Sequence, residues 1–400
     1  MPRSLDRNLS LYPAYAALFA AHFWLPVFFL FFQSHFTLAD VLRLEAIYYF
    51  AVVLLEVPSG YFSDAVGRRV TLIIAALSTA AAHALFLFSD TFLFFAAAQI
   101  LLAGGIAFNS GTDTALHYDT LAALNRKAEY GEREALVAGW SFRLSGIAAL
   151  AGGLGAALDL RIAYALSLAG ALASLAIVWR MLEPESPGAR AILSPAGFLK
   201  QIGRALRELR QPALSWLSGY AVLMVVLNHL PYEFYQPYLD SLLRETRAGS
   251  GSAPALSGVI TLATMLIAGQ VAARSIRLRD RIGLGPTLLA GTGLQTLIIG
   301  TMAFFTHPLI VALILLRSCP RAIMTAPRNA AVAPLIAREH RATFLSLESL
   351  AGRMAFSGVL WGLAHLGRDG ALQQVLMASF AIALAALVLL ALTRGLLNKS

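Results

Sequence analysis

The chain contains a single cysteine, Cys319, so no internal disulfide can form and no cysteine-based metal site can be assembled. Charge is scarce as well. Asp, Glu, Lys and Arg make up 13% of the residues, where soluble domains carry roughly 25%. No glycine-rich nucleotide loop, His/Glu metal cluster or nucleophile elbow is present. These absences argue against an enzyme, against a resident cofactor and against a metal site. Acidic residues are the rarer sign, 22 against 31 Lys and Arg, for a net charge of +9. A surplus of that sign would suit nucleic acid, but the basic residues fall in alternate loops between apolar runs. That placement orients a membrane protein and excludes a nucleic-acid partner.

Apolar residues fill the space that charge leaves, at 58% of the chain with a mean hydropathy of +0.69. Runs of about 20 apolar residues match the thickness of a bilayer core, where each backbone group must bond within its own segment. Such runs predict helices near 12–33, 38–60, 70–88, 91–117, 135–158 and 162–182. A second set falls near 213–242, 254–274, 286–306, 309–337, 343–366 and 372–393. The first run lacks a small-residue cleavage site and reads as a retained helix. The organisation expected is a six-helix half over 1–182, a cytoplasmic linker over 183–212 and a second six-helix half over 213–400. In the linker, Phe198, Leu199, Ile202, Ala205, Leu206 and Leu209 share one helical face and Lys200, Arg204, Arg207 and Arg210 the opposite one. This is the pattern of an amphipathic helix on a membrane surface. Lys and Arg crowd one set of loops, among them Arg68, Arg69, Arg126, Lys127, Arg133, Arg274, Arg277, Arg279 and Arg281. The other set holds Arg161, Arg244, Arg247 and Arg368. The crowded side is expected to be cytoplasmic, with both termini on it.

Between the second and third runs stands the polar turn Gly60-Tyr61-Phe62-Ser63-Asp64-Ala65-Val66-Gly67-Arg68-Arg69. Gly60 is expected to allow close helix approach and Gly67 a positive φ. The pattern G-x-x-x-D-x-x-G-R-R after a membrane helix resembles the loop signature of the major facilitator superfamily, at Gly60, Asp64, Gly67, Arg68 and Arg69. The resemblance implies an all-α fold of twelve transmembrane helices in two pseudo-repeated halves. It also implies that an acid at the end of the fourth helix, Asp113 or Asp119, pairs with the loop arginines in one conformational state. Glu56-Val-Pro-Ser-Gly60 and Arg341-Ala-Thr-Phe-Leu-Ser-Leu resemble the bacterial exporters of that family. Other exporter features are missing. The fourth helix has Ile100 where an arginine is expected before Gly104, and the fifth has glycines without a following proline.

Ionisable residues inside membrane helices cost about 2.5–3.5 kcal/mol each at mid-depth and mark functional positions. Arg143, Arg317, Arg321, Arg328 and Arg353 fall within expected helices, as do Glu56, Glu233 and Glu348 within helices or at their ends. Arg317 and Arg321, four apart, are expected to share one face of the tenth helix. Arg328, close to the cytoplasmic end of its helix, reads first as one half of a structural pair or as snorkelling to the interface. The seventh helix carries Pro231 and Pro237 around Tyr232, Glu233, Tyr235, Gln236 and Tyr238, and is expected to open there. His22, midway along the first helix, is a further proton-capable side chain at depth. The cavity candidates are therefore His22, Glu56, Arg143, Glu233, Tyr235, Gln236, Arg317, Arg321 and Arg353.

The expected protein is a secondary transporter of the plasma (bacterial inner) membrane, acting as a monomer with a small molecule and protons as partners. Proton-coupled export of a small amphipathic or anionic compound by alternating access is the leading reading. Uptake by a symporter or facilitator, and a transport-inactive sensor of the same fold, are the alternatives.

Overall fold

In the computed structural model, residues 5–184, 203, 207–245, 252–332, 335–336, 341–367 and 372–398 are described. Helices account for the regular structure of these residues, and no strand occurs among them. The amphipathic linker pattern over 198–210 lies largely outside them.

Helix boundaries follow the apolar runs closely. α1 spans Asp6–Phe19, α2 Phe28–Gln33, α3 Leu38–Val66, α4 Arg68–Phe88, α5 Phe92–Asn109, α6 Thr112–Ala123, α7 Tyr130–Ala156 and α8 Leu160–Arg180. α9 runs over Pro212–Glu245, α10 over Ala253–Ala272, α11 over Ser275–Ile282 and α12 over Leu284–Phe304. α13 covers Ile310–Ile314, α14 Cys319–Val332, α15 Arg341–Leu366 and α16 Leu372–Thr393. Eight segments of the described residues are long and apolar enough to cross a membrane.

Three of the expected helices are broken. The first stops at Phe19 and restarts at Phe28. Pro26 lacks the amide donor needed there, and side chains from other helices satisfy the exposed backbone. Ser145 Oγ donates to the Ala20 carbonyl at 2.6 Å, the Trp24 amide donates to Ser167 Oγ at 3.1 Å, and Ser257 Oγ donates to the Pro26 carbonyl. Gly152 completes the fit, because a Cβ there would overlap the Phe23 carbonyl oxygen. The fourth expected helix breaks at Ser110-Gly111, where Gly111 has φ +76°. The tenth breaks between Ile314 and Cys319.

The seventh helix corrects the opposite expectation, since α9 is continuous through Pro231 and Pro237. Pro231 cannot donate to the Leu227 carbonyl one turn before it. Gln295 of α12, fully buried, donates its Nε2 to that oxygen at 2.9 Å instead. The freed acceptor is satisfied from outside, and the helix has no need to open.

The described residues divide into two compact units. The first comprises Met1–Phe36, Ile47–Ile192 and Pro254–Leu262, and the second Thr37–Ala46, Leu193–Ala253 and Ala263–Ser400. In the first, α4 packs on α5 and α8 around Phe31, Phe32, Phe86, Phe95 and Tyr164. Their rings meet at 4.1 Å for Phe31–Tyr164, 5.3 Å for Phe32–Phe86 and 5.2 Å for Phe86–Phe95. Aromatic pairs at such distances add about 0.5–1.5 kcal/mol each beyond their burial. In the second unit, α12 packs on α14 and α16, and α9 on α15.

Candidate functional site

The loop signature of the first unit forms a bonded corner. Gly67 has φ +116°, a backbone state that a side chain would strain, so its expected role holds. The positive φ turns the chain so that α4 begins at Arg68 with its first amides free. Glu183, just beyond α8, receives them: the Arg68 amide donates to its Oε1 and the Arg69 amide to its Oε2, both at 2.7 Å. A carboxylate at a helix N-terminus is also favoured by the helix dipole. The Arg68 side chain donates to Ser63 Oγ at 2.9 Å and lies 3.5 Å from Asp119. Arg69 donates to the Trp179 carbonyl at 2.7 Å. Asp119, rather than Asp113, is thus the partner of a loop arginine in this conformation.

One expectation for this motif needs adjustment. A Cβ at Gly60 would meet nothing within 4 Å, so close packing does not require glycine at that position. Asp64 lies on α3, but its side chain falls outside the described residues. Glu183, which the sequence placed only in a linker, is the acid the motif's backbone bonds.

Asp113 belongs to a second polar cluster, joined by the break at Ser110-Gly111. Asn109 Nδ2 reaches Asp113 at 3.4 Å, and Tyr15 O–H donates to Asn109 Oδ1 at 2.7 Å. Glu134 of α7 takes the Tyr12 hydroxyl at 3.1 Å and sits 2.6 Å from His117 Nδ1, with Tyr12 stacked on the His117 ring at 4.3 Å. Asn8 ties the same face down, its Nδ2 donating to Thr120 Oγ1 at 3.1 Å and to the Leu182 carbonyl at 2.8 Å. Tyr12, His117 and Glu134 were not among the sequence candidates.

Arginine dominates the second unit. Arg317 lies in the break between α13 and α14, which turns it away from Arg321. The expected shared face on one helix is therefore lost. Arg317 is buried, its guanidinium 4.0 Å from the Tyr235 ring centroid and bonded to Thr264 Oγ1 at 2.7 Å. Its side chain also reaches the Ile314 carbonyl at 3.4 Å, the same oxygen that accepts from the Arg317 amide at 3.1 Å. Arg328 is buried too, paired with Glu348 of α15 and donating to the Leu217 carbonyl at 3.2 Å. Arg321 differs from both. It is exposed, and its guanidinium has no hydrogen-bond or ion-pair partner among the described residues. The charges of Arg321 and Arg353 both act on the His229 ring of α9, whose Nδ1–H donates to the Val225 carbonyl at 2.6 Å and which faces Phe356 at 5.0 Å. Arg321 and Arg353 therefore both lie within electrostatic reach of the neutral His229 ring.

The remaining candidates are dispersed. Glu233 and Gln236 are fully buried on α9, with Gln236 Nε2 3.3 Å from the Tyr235 hydroxyl. Arg143 of α7 is exposed, its guanidinium 5.3 Å from the Trp140 ring. Glu56 is half-buried on α3. His22 stands in the break of the first helix, its ring 5.9 Å from Trp24. No group of three or more His, Cys, Asp or Glu placed to hold a metal ion occurs among the described residues.

The fold matches solved transporters along its length. A nucleoside transporter, NupG, superposes with a TM-score of 0.81 at 13% identity, over 98% of this chain and 100% of that one. A D-xylose–proton symporter gives 0.65 at 14% identity, over 96% of each chain. The human organic anion transporter MFSD10 gives 0.56 at 17% identity, over 98% of this chain and 100% of that one. No curated protein matches the sequence. The family description "Major Facilitator Superfamily" matches residues 11–357. With its loop signature, all-helical architecture and that match in agreement, the chain belongs to the major facilitator superfamily.

Proposed function

We propose that the protein exports a small amphipathic compound bearing a carboxylate or phosphate group, in exchange for protons, by alternating access. The observation that carries this reading is Arg321. Among the arginines of α14 and the preceding break, Arg317 is bound to Tyr235 and Thr264 and Arg328 to Glu348, while Arg321 stands exposed and unpaired among the described residues. A guanidinium held on a membrane helix without a counter-charge is costly unless water or an anionic ligand meets it. Arg353, whose charge acts on the same His229 ring, adds to the positive potential, and a low-dielectric wall focuses such a potential on an approaching anion. Tyr232, half-buried and with its ring 6.3 Å from that of His229, provides apolar surface for the rest of an amphipathic molecule. Export, rather than uptake, is inferred from the resemblance of Glu56–Gly60 and of the start of α15 to bacterial exporters. The two halves expected to move against each other are 1–182 and 213–400, joined by the linker over 183–212.

The test uses purified protein and a panel of aromatic carboxylates with their methyl esters. Arg321→Gln is expected to weaken carboxylate binding about tenfold or more, the loss typical of a charge-assisted hydrogen bond, and to leave ester binding unchanged. Equal loss for acid and ester would assign Arg321 a structural role and remove the anion from the proposal.

A further inference from the structure

We propose that His117 and Glu134 form a proton-binding site in the first unit whose loading frees the cytoplasmic half of the broken first helix. The use of that proton in transport rests on the function proposed above; the site itself does not.

The pair is close and enclosed. His117 Nδ1 lies 2.6 Å from Glu134 Oε1, and the imidazole is buried. The carboxylate side chain keeps 23% of its accessible surface, enough for protons to exchange with water. Leu72, Leu116, Val137, Val178 and Met181 pack with Tyr12 and Tyr15 into the apolar wall behind the pair. A charge held against such a wall is poorly solvated, so its protonation state affects packing strongly.

The charge around the site is one-sided. From α6, Asp113 acts electrostatically on both Glu134 and Tyr12. From α1, Tyr12 and Tyr15 supply only hydroxyls, and from α7, Tyr130 supplies another. The basic residues of neighbouring elements are engaged elsewhere. Arg126 and Arg133 bond Glu129, Arg68 lies against Asp119, and Arg69 bonds the Trp179 carbonyl. Two carboxylates, Glu134 and Asp113, therefore act on each other, and one imidazole, that of His117, is bonded to Glu134. With His117 neutral and both acids ionised the cluster carries two negative charges, and protons added in sequence bring it toward neutrality.

Geometry links that titration to a moving part. Tyr12 donates its hydroxyl to the same Glu134 oxygen that meets His117. A proton taken up by the pair goes first to the His117 ring, and the imidazolium then draws on the Glu134 Oε1 lone pairs that Tyr12 also uses, so the Tyr12 bond weakens when the proton arrives and further when the carboxylate itself is protonated. α1 ends at Phe19, and the break that follows uncouples it from α2. Its polar ties to the unit include Tyr12 to Glu134, Tyr15 to Asn109 and Asn8 to Thr120 and the Leu182 carbonyl. Loss of the central tie loosens this segment as one piece.

The experiment needs no substrate, so it separates this site from the transport reading. Hydrogen exchange of the Asp6–Phe19 amides is measured on the full chain in nanodiscs at two pD values, corrected for intrinsic rates. Imidazole titration is followed by infrared difference spectroscopy between about pH 4 and pH 9, the range that brackets Glu and His. In the wild type, acidification is expected to lower protection of this segment about tenfold, the effect of weakening one charge-assisted hydrogen bond. Glu134→Gln should keep the lower protection at both values and move the His117 titration, because the carboxylate bonded to the ring is gone. Tyr12→Phe guards against a folding artefact, because it should retain the titration but lose the pH dependence of protection. A pH-independent wild type, a His117 titration unmoved in Glu134→Gln, or a pH response retained in Tyr12→Phe would overturn the proposal.

Discussion

At the scale of single residues, burial decides which ion pairs matter. Arg126, Arg133 and Glu129 hold one another at 2.6–2.8 Å on an accessible turn, and these hydrogen bonds push the Glu129 carboxyl down to about 2. That contribution is present above the unfolded carboxylate value and is lost as pH falls toward 2, but water and salt screen it. Arg328 and Glu348 are enclosed instead, and each would be left as an uncompensated buried charge without the other. Arg328→Ala is therefore expected to destabilise the protein by about 3–5 kcal/mol, and Arg328→Met combined with Glu348→Leu by much less. Thermal denaturation of the three forms in one detergent checks the order, and equal losses for single and double variants would contradict it. Glu183 acts at the same scale by other means. Its two backbone bonds fix the loop that carries Arg68 and Arg69, so Glu183→Ala should increase proteolysis at that loop without preventing insertion. Unchanged cleavage would show that Gly67 and Asp119 suffice.

At the scale of the helix, the prolines of α9 teach more than the apolar runs. Gln295 bonds the carbonyl that Pro231 leaves unpaired. Gln295→Leu should cost about 1–3 kcal/mol, the penalty for a buried acceptor left alone. Adding Pro231→Ala restores a donor within the helix and should recover part of that loss, and a double-mutant cycle in thermal stability measures the coupling. Additive losses would mean that the two residues do not share the Leu227 carbonyl. The same example shows what was legible in the sequence. Helix positions were readable because hydropathy over 20 residues is a local quantity. Breaks were not, because their stability depends on distant partners. Pro231 suggested an opening that Gln295, 68 positions beyond the Leu227 carbonyl it bonds, closes, while the first helix opens where Ser145, Ser167 and Gly152 receive it. The site shared this limit. Arg321 stood out as a charge in an apolar run, whereas His117 and Glu134, 17 residues apart across a turn, meet only after α6 and α7 fold together.

At the scale of the whole molecule, the first unit has two chemically distinct ends. One gathers His35, Asp90 and Arg161, with Asp90 3.2 Å from His35 and 3.7 Å from Arg161. The other gathers Arg68, Arg69, Arg126 and Arg133, and it also holds Asp6, 3.6 Å from Arg126, and the Leu182 carbonyl bonded by Asn8. Loops that the Lys and Arg count assigns to opposite faces thus converge on opposite ends in space. Membrane insertion retains the arginine-rich loops on the cytoplasmic side, so α1 should begin there. The single, buried Cys319 makes this directly measurable. In a Cys319→Ser background, Asp90→Cys and Asp159→Cys are expected to react with an impermeant maleimide in intact cells. Arg126→Cys and Arg281→Cys should react only after permeabilisation. The reverse pattern would invert the orientation of the first unit, and it would place the loop signature and the proton-binding pair at the outer face of the membrane.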